Sequence, residues 1–249
     1  MNVMNQFFFG VYPYIALAVL AIGSVIRFDR EPYTWRTGSS QLLRRRQLVA
    51  GSILFHLGVL MIFGGHLVGL LTPVAVWDAL GVAHSAKQLL AMVAGGVAGV
   101  MMLIGGLLLL HRRLFDPRIR RTSSFGDTAI LIILLIQLCL GLSTIFISAR
   151  HMDGEEMVKF MNWAQGVFTF RAGTADYIAD VHWLFKAHIV LGLTIFLVFP
   201  FTRLVHMLSA PVWYLNRQGW QLVRSRRQMP VSRIASAPAS IRGRKGDGR

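Results

Sequence analysis

The chain has 249 residues, 54% hydrophobic and 15% charged, with a mean hydropathy of +0.54 and a formal net charge of +15. This balance excludes an ordinary soluble domain of that size and points to an integral membrane protein. The single cysteine, Cys139, sits in an apolar run, which excludes a disulfide framework or a thiolate metal centre and leaves histidine or oxygen as metal ligands.

The first apolar run, Phe7–Ile26, follows a start without basic residues and has no small-residue cleavage site at its end. It is expected to stay in the mature protein rather than to be a signal peptide. Leu48–Leu71, Gln88–Leu110, Thr128–Ser148 and His182–Leu204 follow, each meeting the ~20 residues needed to cross the hydrocarbon. The expected fold is all-α, an integral membrane bundle of five transmembrane helices. The connection between helices four and five is the longest, and Met157, Met161, Ala164 and Phe168 recur in it at helical spacing. It reads either as a helix along the outer surface or as a solvated loop with a packed face. After Met229 the sequence is rich in Ser, Ala, Gly, Pro and Arg, so residues 1–226 are expected to form the membrane domain and residues 227–249 a basic, disordered cytoplasmic tail.

Twenty-one of the 26 Lys and Arg residues fall in Arg27–Arg46, Arg112–Arg121 and the stretch from Arg203 onward. A bias that alternates with each crossing sets orientation, with the N-terminus outside and the C-terminus cytoplasmic. It also makes nucleic acid a poor explanation for the charge.

His84, His111, His151 and His182 fall in loops or at helix ends, where an imidazole meets water or headgroups cheaply. His56 and His66 lie within helix two, His188 within helix five and His206 at its inner end, at depths where ionisable groups are expensive and usually functional. On straight helices the first pair is separated by ~15 Å and the second by ~27 Å, leaving ~12 Å to be absorbed by tilt or bending. The helices run in opposite directions, so like depths pair His66 with His188 near the outer face and His56 with His206 near the inner face. Five full turns would put both helix-five histidines on one face, whereas those of helix two would be ~80° apart.

Two imidazoles per site suit the axial positions of a haem iron, whose other four ligands are porphyrin nitrogens. Zinc would ordinarily need three or four protein ligands, and no Cys, Asp or Glu stands at these depths. No Cys-x-x-Cys-His occurs, which excludes covalent c-type attachment. Bis-imidazole ligation leaves no open iron position and so favours electron transfer. The bland alternative is a set of hydrogen-bonded structural histidines between helices. Gly58, Gly64, Gly65 and Gly69 in helix two, and Gly95, Gly96, Gly99, Gly105 and Gly106 in helix three, would let a macrocycle or another helix approach closely; helix packing alone explains them equally well.

The segments FFFGVYPYIA, YTWRTGSSQ, FHLGVLMIFGGHLVGLLTP, KQLLAMVAGG, RRLFDPR, HMDGEEM with the following NWAQ, and KAHIVLGLTIFLVFPFTRLVH leading to PVWYL occur in an order that resembles the gamma, cytochrome b, subunit of bacterial membrane-bound respiratory nitrate reductase. The resemblance implies two haem b groups on His56, His66, His188 and His206, in the bacterial cytoplasmic (inner) membrane. It implies quinol oxidation, with electrons passed to an iron–sulfur beta subunit and nitrate reduced in a molybdenum-containing alpha subunit. A family lysine at the quinol site matches Lys87, beside His66 and Gly65. Quinol would release its protons outward. Arg112 and Lys186 are candidates for the haem propionates. Each cation has a simpler alternative: a snorkelling anchor for Lys87, inner-face anchoring for Arg112 and headgroup contact for Lys186. The basic tail after about Arg226 departs from the family pattern.

Two other functions stay open on the residues alone: a dihaem cytochrome b serving another quinone-linked complex such as a hydrogenase, and a haem-free membrane anchor or transporter. A transporter would be expected to show broken helices or further polar midplane residues.

Overall fold

The protein is described here as a computed structural model over residues 3–35 and 43–209. Part of the YTWRTGSSQ segment, the PVWYL segment and the expected boundary between residues 226 and 227 lie outside the described residues. Among the described residues there is no strand, and all five apolar runs are helical. Helix one is Val3–Arg30, helix two Arg45–Leu71, helix three His84–Phe115 and helix four Phe125–Ser148. Helix five is α-helical over Trp183–Val198 and closes in a 3-10 turn, Phe199–Phe201.

Helices one, two, three and four extend past the apolar runs that hydropathy marks. Helix three has 32 residues, or ~48 Å against an apolar core of ~30 Å. It ends at Asp116, whose carboxylate accepts from the Arg118 and Ile119 amides to start the short helix Pro117–Thr122. Helix four begins where Ser124 Oγ accepts from Asp127 N at 3.1 Å.

Helix two packs on three, three on four, four on five, and five on one. Phe55, Met102, Leu131, Leu135 and Leu138 make the core between helices two, three and four. Gly58 lets helix two lie on helix three, since a Cβ there would be 2.7 Å from Ala98 O and Met102 N. Helices two and five are not among the closely packed pairs; His66 of helix two faces His188 of helix five, and His56 faces His206 beyond that helix's end.

The connection between helices four and five is a helix, Glu155–Phe168, laid against the ends of the bundle. Met161, Trp163, Ala164 and Val167 are buried, whereas Phe168, expected in the same stripe, is 56% exposed. Trp163 Nε1 donates to Phe9 O at 2.9 Å. Gln165 Nε2 donates to Leu70 O and Thr72 O, each at 3.0 Å, satisfying carbonyls that the end of helix two leaves without helical partners. This cap marks the His66 end of the bundle.

Helix five departs from the straight element the spacing predicts. Pro200 has no N–H and clashes with a continuing helical turn, so the α-helix stops at Val198. Thr202 is extended (φ −116°, ψ 177°) before a second 3-10 segment, Arg203–Ser209. His206 therefore lies on a separate segment, not five α-helical turns beyond His188, and the ~27 Å of an unbroken helix does not apply.

Candidate functional site

The four deep histidines meet in two pairs. The His66 and His188 ring centroids are 6.2 Å apart, and those of His56 and His206 are 6.1 Å apart. These are the residues that like depths on antiparallel helices would bring together, and the chain between His188 and His206 is broken at Pro200.

Three of these rings are oriented alike. Nδ1 of His56 donates to Ser52 O at 2.7 Å, Nδ1 of His66 to Ile62 O at 2.8 Å, and Nδ1 of His206 to Arg203 O at 2.5 Å. Tying the proton to Nδ1 leaves Nε2 as the lone-pair donor, the tautomer a metal-ligating imidazole needs. His188 is held differently. Gln137 of helix four donates from Nε2 to His188 O at 3.0 Å and stands 3.4 Å from His188 Nε2, while His188 Nδ1 is buried without a hydrogen bond. Gly141, one turn from Gln137, supports this ring: a Cβ there would lie 2.9 Å from His188 Cε1.

The pairs fit a haem. With metal–nitrogen bonds of about 2 Å and ~1.2 Å from each nitrogen to its ring centre, two axial imidazoles place their centroids about 6.4 Å apart. Among the described residues no group of three or more His, Cys, Asp or Glu is placed to hold a metal ion; each pair offers two imidazoles, the number a haem iron would take from the protein.

Lys87 is buried, 6% exposed. Its Nζ donates to Gly69 O at 2.9 Å and Met161 Sδ at 2.8 Å, and it lies 4.5 Å from the centre of the Trp77 ring. It is thus enclosed by helix two, the cap and the 73–82 connection rather than extended toward headgroups. Gly69 follows His66 by three residues, on the same helix face. A Cβ on Gly65 would meet nothing within 4 Å. Arg112 is buried, with Nη2 donating to Leu43 O at 2.7 Å beside the Arg44–Asp116 ion pair of 3.0 Å. Lys186 Nζ donates to Ala179 O at 2.7 Å. Both propionate candidates are thus engaged with backbone carbonyls.

Three of the four remaining histidines have local partners. His84 pairs with Asp78 at 2.9 Å, His111 lies 3.3 Å from Gln47, and His182 accepts from Leu184 N at the start of helix five. Sequence reasoning passed over Gln137 and Gly141. The available signal was an amide in the middle of an apolar span with a glycine four residues on, which puts both on one helix face.

The family model described as nitrate reductase gamma subunit matches residues 5–226. The chain is 52% identical over 226 residues to the respiratory nitrate reductase 1 gamma chain of Escherichia coli (strain K12), covering 91% of this chain and 100% of that protein. It is 53% identical over 224 residues to the respiratory nitrate reductase 2 gamma chain of the same organism, covering 90% and 98%. With the nitrate reductase gamma chain of Bacillus subtilis (strain 168) the identity is 37% over 213 residues, covering 86% and 95%.

Proposed function

We propose, on the premise that the chain belongs to the nitrate reductase gamma subunit family, that it is the quinol-oxidising, two-haem b subunit of a respiratory nitrate reductase in the bacterial cytoplasmic membrane. The observation that carries this reading is the pair of imidazole couples at 6.1 and 6.2 Å, which join helix two to helix five and to the segment beyond it. His66 and His188 would hold one haem b, and His56 and His206 the other. Held by these residues, the groups would supply one-electron transfer chemistry.

The protein's own part is to fix the imidazoles and to bind quinol. Nδ1 tethers hold three rings in the ligating tautomer, and the Gly141 backbone seats the fourth. Quinol would bind at the His66 end beside Lys87, His66 and Gly65. The Lys87 ammonium would donate to a quinol oxygen and stabilise negative charge as the hydroxyl loses its proton. In this reading the His66 end is periplasmic and the Arg-rich end cytoplasmic. Protons leave outward and electrons inward, toward an iron–sulfur beta subunit and a molybdenum-containing alpha subunit that reduces nitrate. Arg112 and Lys186 would face the propionates after giving up a carbonyl contact, and residues 227–249 would form a cytoplasmic tail.

The test is quinol-dependent nitrate reduction by the purified native complex, together with its reduced-minus-oxidised spectrum. Two b-type haems and nitrate-dependent reoxidation are expected. A complex without haem, or one whose haems are reduced by quinol but never reoxidised by nitrate, would overturn the reading.

A further inference from the structure

We propose that Arg27 is a positioning residue for His206: its guanidinium holds the broken end of helix five in the path that brings this imidazole to His56. The inference rests on the reading of His56 and His206 as a ligand pair and adds a residue from helix one, which contributes no ligand.

The break at Pro200 creates two problems. An interrupted helix leaves carbonyls without helical N–H partners, and an extended residue followed by a short 3-10 segment has little intrinsic stiffness. Arg27 addresses both. Its Nη1 donates to Pro200 O at 2.6 Å and to Thr202 O at 2.8 Å, the carbonyls on either side of the break. Nη2 donates to Thr34 O at 3.1 Å, and Nε points to Thr34 Oγ1 at 3.4 Å, fixing the guanidinium from its other edge. Thr34 is in turn braced by Glu31 O at 2.9 Å. A planar fork that serves several acceptors at once is what arginine supplies and lysine does not.

Helix one is also shaped for this contact. Gly23 lies one turn before Arg27, and a Cβ there would be 2.8 Å from Pro200 Cγ. The glycine admits the proline ring while the arginine grips the carbonyls beyond it. Past the grip, Leu204 and Val205 are buried with Phe199, Ile130 and Ile195. His206 comes next, its Nδ1 tied to Arg203 O and its ring 6.1 Å from His56. The restraint on His206 thus runs from Arg27 through Pro200 and Thr202 to Leu204 and Val205.

The experiment compares Arg27→Gln, Arg27→Lys and His206→Ala in membranes containing the assembled complex, read by pyridine haemochrome and by the low-spin EPR signals of the two haems. His206→Ala identifies the signal of the His56–His206 pair. Arg27→Gln is expected to broaden, shift or lose that same signal, with haem retention there down about 10-fold, while the His66–His188 signal stays as in wild type. Arg27→Lys, able to reach one of the carbonyls, is expected to recover part of it. An unchanged signal in Arg27→Gln would overturn the proposal, and so would equal loss of both haems, which marks a general folding role. If His206→Ala itself left both haems in place, the ligand pair would fall, a result distinct from any failure of Arg27.

Discussion

The imidazole of His188 rests on the backbone of helix four at Gly141, where an added Cβ would stand 2.9 Å from Cε1. The contact leaves no room for a side chain opposite the ring. Gly141→Ala should therefore push the ring out of place at a cost of about 1–3 kcal/mol. The EPR signal assigned to the His66–His188 pair should shift or weaken, and that of the other pair should not. Gly126→Ala, in open space on the same helix, is the control and should leave both signals as they are. An unaltered spectrum in Gly141→Ala would show that the ring has room to spare.

Replacing a ligand should remove one haem at a time. His66→Ala or His188→Ala is expected to delete one signal and about half of the haem, and His56→Ala or His206→Ala the other, because each change strips one axial nitrogen. Haemochrome analysis with redox titration checks this. Two unchanged haems in every variant would end the ligand assignment.

Lys87→Ala should slow quinol-driven haem reduction in stopped flow by on the order of 10- to 100-fold with both haems retained, through loss of a charge-assisted hydrogen bond. Artificial-donor nitrate reduction that bypasses this subunit should be unaffected. Lys87→Arg should not restore the rate, because the enclosure by Gly69 O, Met161 Sδ and Trp77 is fitted to an ammonium. Undiminished reduction in Lys87→Ala would remove the lysine from the mechanism.

Gly58→Ala should destabilise the whole domain by about 1–3 kcal/mol, since the new methyl group would face the backbone at Ala98 and Met102. Helix two carries one histidine of each couple, so on the proposed ligation both haem signals should decline together on heating, unlike the one-sided effect at Gly141. Selective loss of a single signal would contradict the packing role.

Docking of a cytoplasmic partner should depend on Arg45, Arg46, Arg118, Arg120 and Arg121, which are exposed. Arg44 and Arg112 are already engaged with Asp116 and Leu43 O. Reversing the five exposed charges while topology is preserved should weaken co-purification with the iron–sulfur subunit, more so at high salt. Undiminished association would leave these arginines with orientation alone.

The spans and the four deep histidines were legible because hydropathy and depth are local properties of the sequence, and antiparallel helices pair ligands by depth alone. The course of helix five was not. Pro200 signals a break, but the direction of the chain after it depends on Gly23 and Arg27, more than 170 residues earlier. The cap helix showed its periodicity, yet its buried face was misjudged at Phe168 because that face is set by Phe9, Leu70 and Lys87. Gly141 matters only once His188 is known to sit opposite. On the residues alone Lys87 read as a snorkelling anchor, because the groups that enclose it, Gly69 O, Met161 and Trp77, come from separate segments of the chain.

Both histidine couples join helix two to the final span and the segment beyond it, and this fixes a chronology. At ~5–20 residues per second, Met161 leaves the ribosome roughly 4–15 s after Lys87, which lies 74 positions earlier. Through that interval the lysine is without its thioether partner. The couples form later still, when the last apolar segment has been inserted. A nascent chain halted between helices two and five has half of each couple and neither one complete, so the paired-imidazole arrangement is among the last things translation delivers.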